Sequence, residues 1–172
     1  MIHSTATMIL PHIEQTAVYN LFDHSSDPKT AYAATPSGEG ALEEAIGSAV
    51  AELASRHRIA GVGLAVAGFV ASDRRTVRFA PHLAWRQAPV AERISRRVGM
   101  PVVLEHDANA AAFAEHRFGA ARGAKIAALV AIGTGIGGAL LIDGQVFRGA
   151  HGVAPELGHL RLVPDGRPCP CG

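Results

Sequence analysis

The stretch LVAIGTGIGGALLIDGQ, residues 129–145, constrains the fold most strongly, because glycines interrupt a sequence that is otherwise almost entirely aliphatic. Gly133, Gly135 and Gly138 have the G-x-G-x-x-G spacing of a dinucleotide-binding loop. Such a loop must lead into a helix, whereas an aliphatic segment and a hairpin-forming Asp-Gly pair follow here. A Walker-type loop is excluded as well, since no Gly-Lys-Ser/Thr follows. Two interpretations stay open: a turn between strands whose backbone N–H groups bind phosphate, or a turn whose glycines serve only close packing.

The rest of the chain alternates between helical and strand-like segments. Apolar residues at helical spacing predict helices over 41–58, 88–99 and 108–119. Short apolar runs predict buried strands over 59–70 and 100–107, a strand over 125–133, and two short strands within 138–149 around an Asp-Gly turn. A short element, either a helix or a strand, is expected at 15–22. This alternation favours layered α/β architecture.

Composition narrows the class of protein. The chain has 172 residues, of which 48% are hydrophobic and 18% charged, so we expect a folded domain or two small lobes. A net charge of +1 gives no electrostatic footprint for nucleic acid or an anionic membrane. No apolar run is long enough for a membrane span, and the first residues do not resemble a secretory signal. These features predict a cytoplasmic enzyme.

Asp107 is the first candidate for chemistry, because it lies where a predicted strand meets a predicted helix. A carboxylate at this point can cap the helix, whose first N–H groups and dipole favour negative charge. It can equally act as a general base at the carboxyl end of a strand, where α/β folds place their chemistry. The sequence leaves both interpretations open.

The last residues supply a second cluster, in the segment PELGHLRLVPDGRPCPCG. A disulfide between Cys169 and Cys171 would be strained, since a single residue separates them. A histidine followed by Cys-x-Cys within about a dozen residues is more typical of zinc binding, although tetrahedral zinc needs a fourth ligand. We therefore predict that His159 and these two cysteines bind a metal.

Three segments together resemble the ROK family of sugar kinases, in particular its bacterial glucokinases. LEHDANAAAFAEHRFGAARG resembles the catalytic segment, AIGTGIGGALLIDGQVFRGAHG the second phosphate motif, and APELGHLRLVPDGRPCPCG the sugar-binding and zinc segment. The resemblance extends from about residue 38 to the end and is most specific over 101–172. It implies the actin-like ATPase (ribonuclease H-like) fold, with two α/β lobes and an incomplete second lobe. Residues 1–106 would form the N-terminal lobe and 107–172 the start of the C-terminal lobe, which binds sugar and zinc.

The resemblance also implies an activity, namely ATP-dependent phosphorylation of a hexose, with glucose expected, ATP with Mg²⁺ as cofactor and a structural Zn²⁺. Asp107 would be the general base that takes the proton from the sugar's 6-hydroxyl. The resemblance also implies three sets of binding residues. Sugar would be bound by His82, His106, Asp107, Glu156 and His159, and the phosphates of ATP by Gly133, Thr134, Gly135 and Gly137. Zinc would be bound by His159, Cys169 and Cys171. A homodimer is a further expectation.

Some residues depart from the family pattern. The first phosphate loop, Asp-x-Gly-Gly-Thr, has no match in the atypical residues 1–35, while His106 and His82 stand where the family usually carries Asn. We therefore expect a chain cut at both ends, which turns over slowly or not at all. The alternatives are an inactive kinase fragment and a ROK-type sugar-responsive regulator. Residues 1–35 contain one Lys and no Arg, which argues against a DNA-binding segment.

Overall fold

The computed structural model describes residues 38–81, 83–133, 135–153 and 155–166, so the element expected at 15–22 lies outside the described residues. The helices within these ranges are α1 (Glu39–Arg56), α2 (Val90–Val98) and α3 (Asp107–Phe118). The strands within them are β1 (Val62–Val66), β2 (Phe69–Val70), β3 (Val77–Phe79), β4 (Arg86–Ala88), β5 (Val102–His106), β6 (Ile126–Ile132), β7 (Ile136–Ile142) and β8 (Gln145–Val146). A 3-10 turn spans Leu157–His159. Within the described ranges, no helix has the length and apolar character needed to cross a membrane.

The strands form three small sheets. β1 and β5 are parallel neighbours, so that their carboxyl ends, Val66 and His106, lie side by side. β2, β3 and β4 form an antiparallel sheet, and β6, β7 and β8 form another. The parallel pair therefore brings the end of β5 and the start of α3 to one edge, which is where α/β folds place functional residues.

Two hydrophobic clusters hold these elements together. The first is built around Trp85, Ile94 and Leu104, and it joins α2 to the strands of the first two sheets. The second lies between α3 and the β6–β7–β8 sheet, where alanines of the helix pack on Leu141. Small side chains on α3 allow it to lie close to β7. The predicted lobe boundary between residues 106 and 107 stays a prediction.

The predicted single strand over 59–70 is wrong. This segment forms two short strands in different sheets, β1 and β2, which are separated at Gly68. A Cβ on Gly68 would lie 2.8 Å from the Cα of Ala80, so glycine is required for this close approach. The short strands β3 and β4 were not predicted, since each contains only three residues and has polar side chains among them. The helix predicted over 88–99 is confirmed, and it ends at Gly99 with a φ of 70°.

Candidate functional site

The junction of β5 and α3 positions the predicted catalytic residue. Asp107 is the first residue of α3, directly after His106 at the end of β5. Its Oδ1 accepts a hydrogen bond of 2.7 Å from the Ala108 N–H and lies 3.3 Å from His106 Nε2. The Asp107 side chain is 26% exposed, so it is not enclosed in the hydrophobic core. Both contacts use the same carboxylate oxygen, and the side chain has access to solvent.

The glycine segment forms a turn between antiparallel strands, as the sequence predicts. Ile132 and Ile136 are the last paired residues of β6 and β7, and the Gly133 N–H donates a 2.9 Å hydrogen bond to the carbonyl oxygen of Gly135. A Cβ on either of these glycines would meet no atom of the described residues within 4 Å. At Gly137, a Cβ would lie 3.5 Å from the Cβ of Ala108. The start of β7 therefore lies beside the start of α3, and the turn glycines have open space around them.

Gly138 has a different role from the turn glycines. A Cβ on Gly138 would lie 2.7 Å from three carbons of Leu157, and a Cβ on Gly158 would overlap the carbonyl oxygen of Ile136. Glycines on both sides thus allow the 3-10 turn to pack directly on β7. Gly138 therefore serves close packing, whereas phosphate binding by Gly133 and Gly135 stays a prediction.

A small cleft lies between these elements. Its lining includes Phe69, His106, Asn109, Gly138, Gly152 and Glu156. The cleft therefore brings together His106 and Glu156, two of the residues predicted to bind sugar. Asp107 and the turn glycines are not part of its lining, although Asp107 adjoins His106 at its edge.

The predicted zinc residues are only partly described. His159 ends the 3-10 turn with an exposed side chain, and its N–H donates a 3.0 Å hydrogen bond to the carbonyl oxygen of Glu156. Across the described ranges, no three His, Cys, Asp or Glu side chains are grouped so as to hold a metal ion. Cys169 and Cys171 lie outside the described residues, as do His82 and Thr134. The zinc set stays a prediction.

A charged network behind the junction was missed by the sequence reasoning. Glu105 accepts hydrogen bonds from the His106 N–H and from Asn109 Nδ2, each of 3.1 Å, and a third from Arg148 Nη2. Arg74 Nε lies 3.3 Å from Glu105 Oε2. Burial alone would raise the pKa of Glu105, but the hydrogen bonds from Arg148 and Asn109 and the two arginine charges hold that pKa below its ordinary value.

One part of this network had a signal in the sequence. Glu105 and Asn109 are four residues apart across the start of a predicted helix, a spacing that brings side chains together. Arg148 is 43 residues from Glu105, and no periodicity links them.

Comparison with known proteins assigns the family. The sequence model described as "ROK family" matches residues 16–172, which is most of the chain. The chain belongs to the ROK family. The resemblance stated from the three segments is thereby confirmed, as is the fold class, the actin-like ATPase fold.

Individual relatives include enzymes and a regulator. The chain is 47% identical over 138 residues to the glucokinase of Streptomyces coelicolor, an alignment that covers 80% of this chain and 44% of that enzyme. Its structure matches that of a ROK glucokinase from Streptomyces griseus in complex with glucose and AMPPNP, with a TM-score of 0.71 and 45% identity, over 77% of this chain and 42% of that one. It is also 35% identical over 118 residues to the xylose repressor of Bacillus subtilis, covering 69% of this chain and 30% of the repressor. The chain thus spans less than half the length of these relatives.

Proposed function

We propose that this ROK protein acts in the ATP-dependent phosphorylation of a hexose, with glucose as substrate and glucose 6-phosphate as product. The observation that carries the proposal is the position of Asp107 at the carboxyl end of β5, where it adjoins His106 of the cleft on one side and Ala108, which lies beside Gly137 of β7, on the other. A base, a cleft that positions the hydroxyl and backbone N–H groups that bind phosphate are the parts that phosphoryl transfer to a hydroxyl requires. The similarity to two Streptomyces glucokinases supports the same activity.

The carboxylate of Asp107 accepts the proton of the hydroxyl that attacks the phosphoryl group. A positioned base of this kind typically contributes a factor of about 10² to 10⁴ in rate. His106 and Glu156 line the cleft and are the residues proposed to hydrogen-bond the other sugar hydroxyls, together with His82 and His159. Imidazole can both donate and accept, so His106 suits a hydroxyl in the place where the family usually has an amide.

The phosphates of ATP are proposed to lie against the backbone of the glycine turn. The residues present fit this role, because no Cβ obstructs Gly133 or Gly135 and the described residues leave open space beside them. ATP with Mg²⁺ supplies the phosphoryl group and neutralises its charge. Gly137 keeps the turn close to the start of α3, and Thr134 completes the proposed set.

The zinc, oligomer and location parts of the proposal rest on the family resemblance. His159, Cys169 and Cys171 are proposed to bind a structural zinc, and the exposed imidazole of His159 is free of the hydrophobic clusters. Lobes with the predicted boundary at 106 and 107, a homodimer and a cytoplasmic location complete the proposal.

A sugar-responsive regulator is the second candidate, because the chain is 35% identical to a xylose repressor over 118 residues. Such a protein would bind a sugar in the same cleft without turnover. The two candidates therefore differ in catalysis and share sugar binding.

The decisive experiment supplies the parts of a glucokinase that surround the matched segment. In a chimera, the matching 138 residues of the Streptomyces coelicolor glucokinase are replaced by those of this chain. We expect ATP-dependent formation of glucose 6-phosphate by the chimera in a coupled assay, and the 172-residue chain is assayed in parallel. Polyphosphate replaces ATP in a parallel reaction to identify the donor.

A chimera that folds and binds glucose but forms no phosphorylated sugar would favour the regulator. Binding of this chain to operator DNA in a gel-shift assay would support that alternative further.

A further inference from the structure

We infer that Asn109 accepts a hydrogen bond from a hydroxyl of the hexose in the cleft, and that Glu105 positions its amide for this contact. The inference rests on the proposed function and adds a recognition residue to it. The other residues proposed to bind sugar are histidines and carboxylates, whereas Asn109 is an amide on the inner side of α3.

The surroundings of Asn109 point to a missing partner. Asn109 is the third residue of α3, it is 3% exposed, and it lines the cleft together with His106 and Glu156. Its Nδ2 donates a 3.1 Å hydrogen bond to Glu105 Oε1. Its Oδ1 is buried, and none of the described residues donates to it. Buried acceptors in folded proteins are almost always paired, so this oxygen requires a donor from outside the described fold.

Glu105 determines which atom of the Asn109 side-chain amide is left without a hydrogen-bond partner among the described residues. An ionised carboxylate only accepts hydrogen bonds, so the amide must turn its NH₂ group toward Glu105 and its oxygen away from it. The carboxylate is itself held by Arg148, by Arg74 at 3.3 Å and by the N–H of His106. These contacts also favour its ionised form, since the pKa of Glu105 is below its ordinary value. The amide therefore cannot flip without setting an unpaired oxygen against a carboxylate.

The chemistry of the cleft indicates the donor. Asn109 and Glu156 both line the cleft and both carry side-chain oxygens that accept hydrogen bonds, so a ligand there must supply donors. A sugar does so with its ring of hydroxyls. A site built to pair a hydroxyl discriminates against an analogue that lacks it, because the protein atom is then left unpaired.

The test measures sugar binding by the 172-residue chain with isothermal titration calorimetry. Glucose is compared with its 2-, 3-, 4- and 6-deoxy analogues for the wild type, Asn109→Ala, Glu105→Gln and the control Arg117→Ala, which lies on the same helix. We expect Asn109→Ala and Glu105→Gln to weaken glucose binding about threefold to tenfold. The wild type and both variants should bind one of the deoxy analogues with equal affinity, because that analogue lacks the hydroxyl that Asn109 contacts. Arg117→Ala should bind every sugar as the wild type does.

A second measurement avoids substitution altogether. The NMR resonances of the Asn109 side-chain amide in the wild-type chain should shift on addition of glucose. They should not shift on addition of the deoxy analogue that the wild type and the variants bind with equal affinity. Equal weakening of all five sugars, or glucose binding unchanged in Asn109→Ala, would overturn the inference and leave the proposed function intact. A wild-type chain that binds no hexose would overturn this inference, whereas the proposed function is decided separately by the chimera.

Discussion

Replacing Glu105 by Gln should destabilise the chain far more than the same change at the protein surface. Glu105 is 14% exposed and connects four parts of the fold: the end of β5, the first turn of α3, the segment after β8 and the turn between β2 and β3. Gln keeps the size and one acceptor but loses the charge that pairs with two arginines. The side chain of Arg148 is 28% exposed, so its charge would be left partly buried without the carboxylate.

The magnitude follows from these exposures. Hydrogen bonds to charged groups contribute about 1.5 to 3 kcal/mol each, and breaking a fully buried ion pair costs about 3 to 5 kcal/mol. The Arg74 contact is closer to the surface, with that side chain 44% exposed, and should add less than about 1 kcal/mol. We therefore expect Glu105→Gln to lower the free energy of unfolding by about 2 to 3 kcal/mol.

The assay is urea denaturation followed by far-ultraviolet circular dichroism. Glu92→Gln is the matched control, because Glu92 pairs with Arg96 on the exposed face of α2, where the side chains are 47% and 75% exposed. That pair should contribute less than about 0.5 kcal/mol. A double-mutant cycle with Arg148→Met should give a coupling energy above about 1 kcal/mol. If both Gln variants unfold at the same urea concentration, the network does not stabilise the fold and the reasoning from burial is refuted.

Three further predictions concern acid stability, the glycines and zinc. Folding lowers the pKa of Glu105 below its ordinary value of 4.5, so its contribution to the free energy of unfolding is complete above that pH and is lost as the pH falls through the folded pKa. The free energies of unfolding of the wild type and Glu105→Gln should therefore converge in acid. A difference that stays constant with pH would contradict this. Gly138→Ala should lower the free energy of unfolding by about 1 to 3 kcal/mol, because it forces a methyl group against Leu157. Gly135→Ala should leave the stability unchanged and raise the KM of the chimera for ATP. The reverse pattern would exchange the roles of the two glycines. Zinc titrated against a chromophoric chelator should bind the chain weakly, and His159→Ala or Cys169→Ser should weaken it further; indifference to both substitutions would remove these residues from the site.

The parts of the fold that the sequence predicts are those set by local patterns. The glycine turn was predictable because short aliphatic runs on both sides and the following Asp-Gly pair favour a hairpin, and Gly99 ends α2 where the sequence places a helix stop. The division of 59–70 into two strands depends on the contact of Gly68 with Ala80, which only the folded chain creates. β3 and β4 are likewise short segments whose pairing is decided by their neighbours rather than by their own residues.

In the candidate site too, features set by local patterns were predictable from the sequence and long-range contacts were not. The position of Asp107 was predictable from a strand-to-helix junction, since the carboxyl ends of strands collect functional side chains, whereas His106 was predicted only through the family resemblance. Glu156 joins His106 in the cleft because glycines at two positions allow the 3-10 turn to pack on β7. The link from Glu105 to Arg148 spans 43 residues and arises only when β8 is placed beside α3. Long-range ion pairs of this kind carry no signal in a single sequence.

The role of Asp107 is the central claim, and the chimera with the Streptomyces coelicolor glucokinase tests it most directly. Asp107→Asn keeps the size of the side chain but removes the base, and the residue is exposed enough that the fold should tolerate the change. We predict that kcat for glucose phosphorylation falls by a factor of about 10² to 10⁴, while the dissociation constant for glucose changes by less than about tenfold. A variant chimera whose kcat stays within tenfold of the unsubstituted chimera would contradict the assignment of Asp107 as the general base.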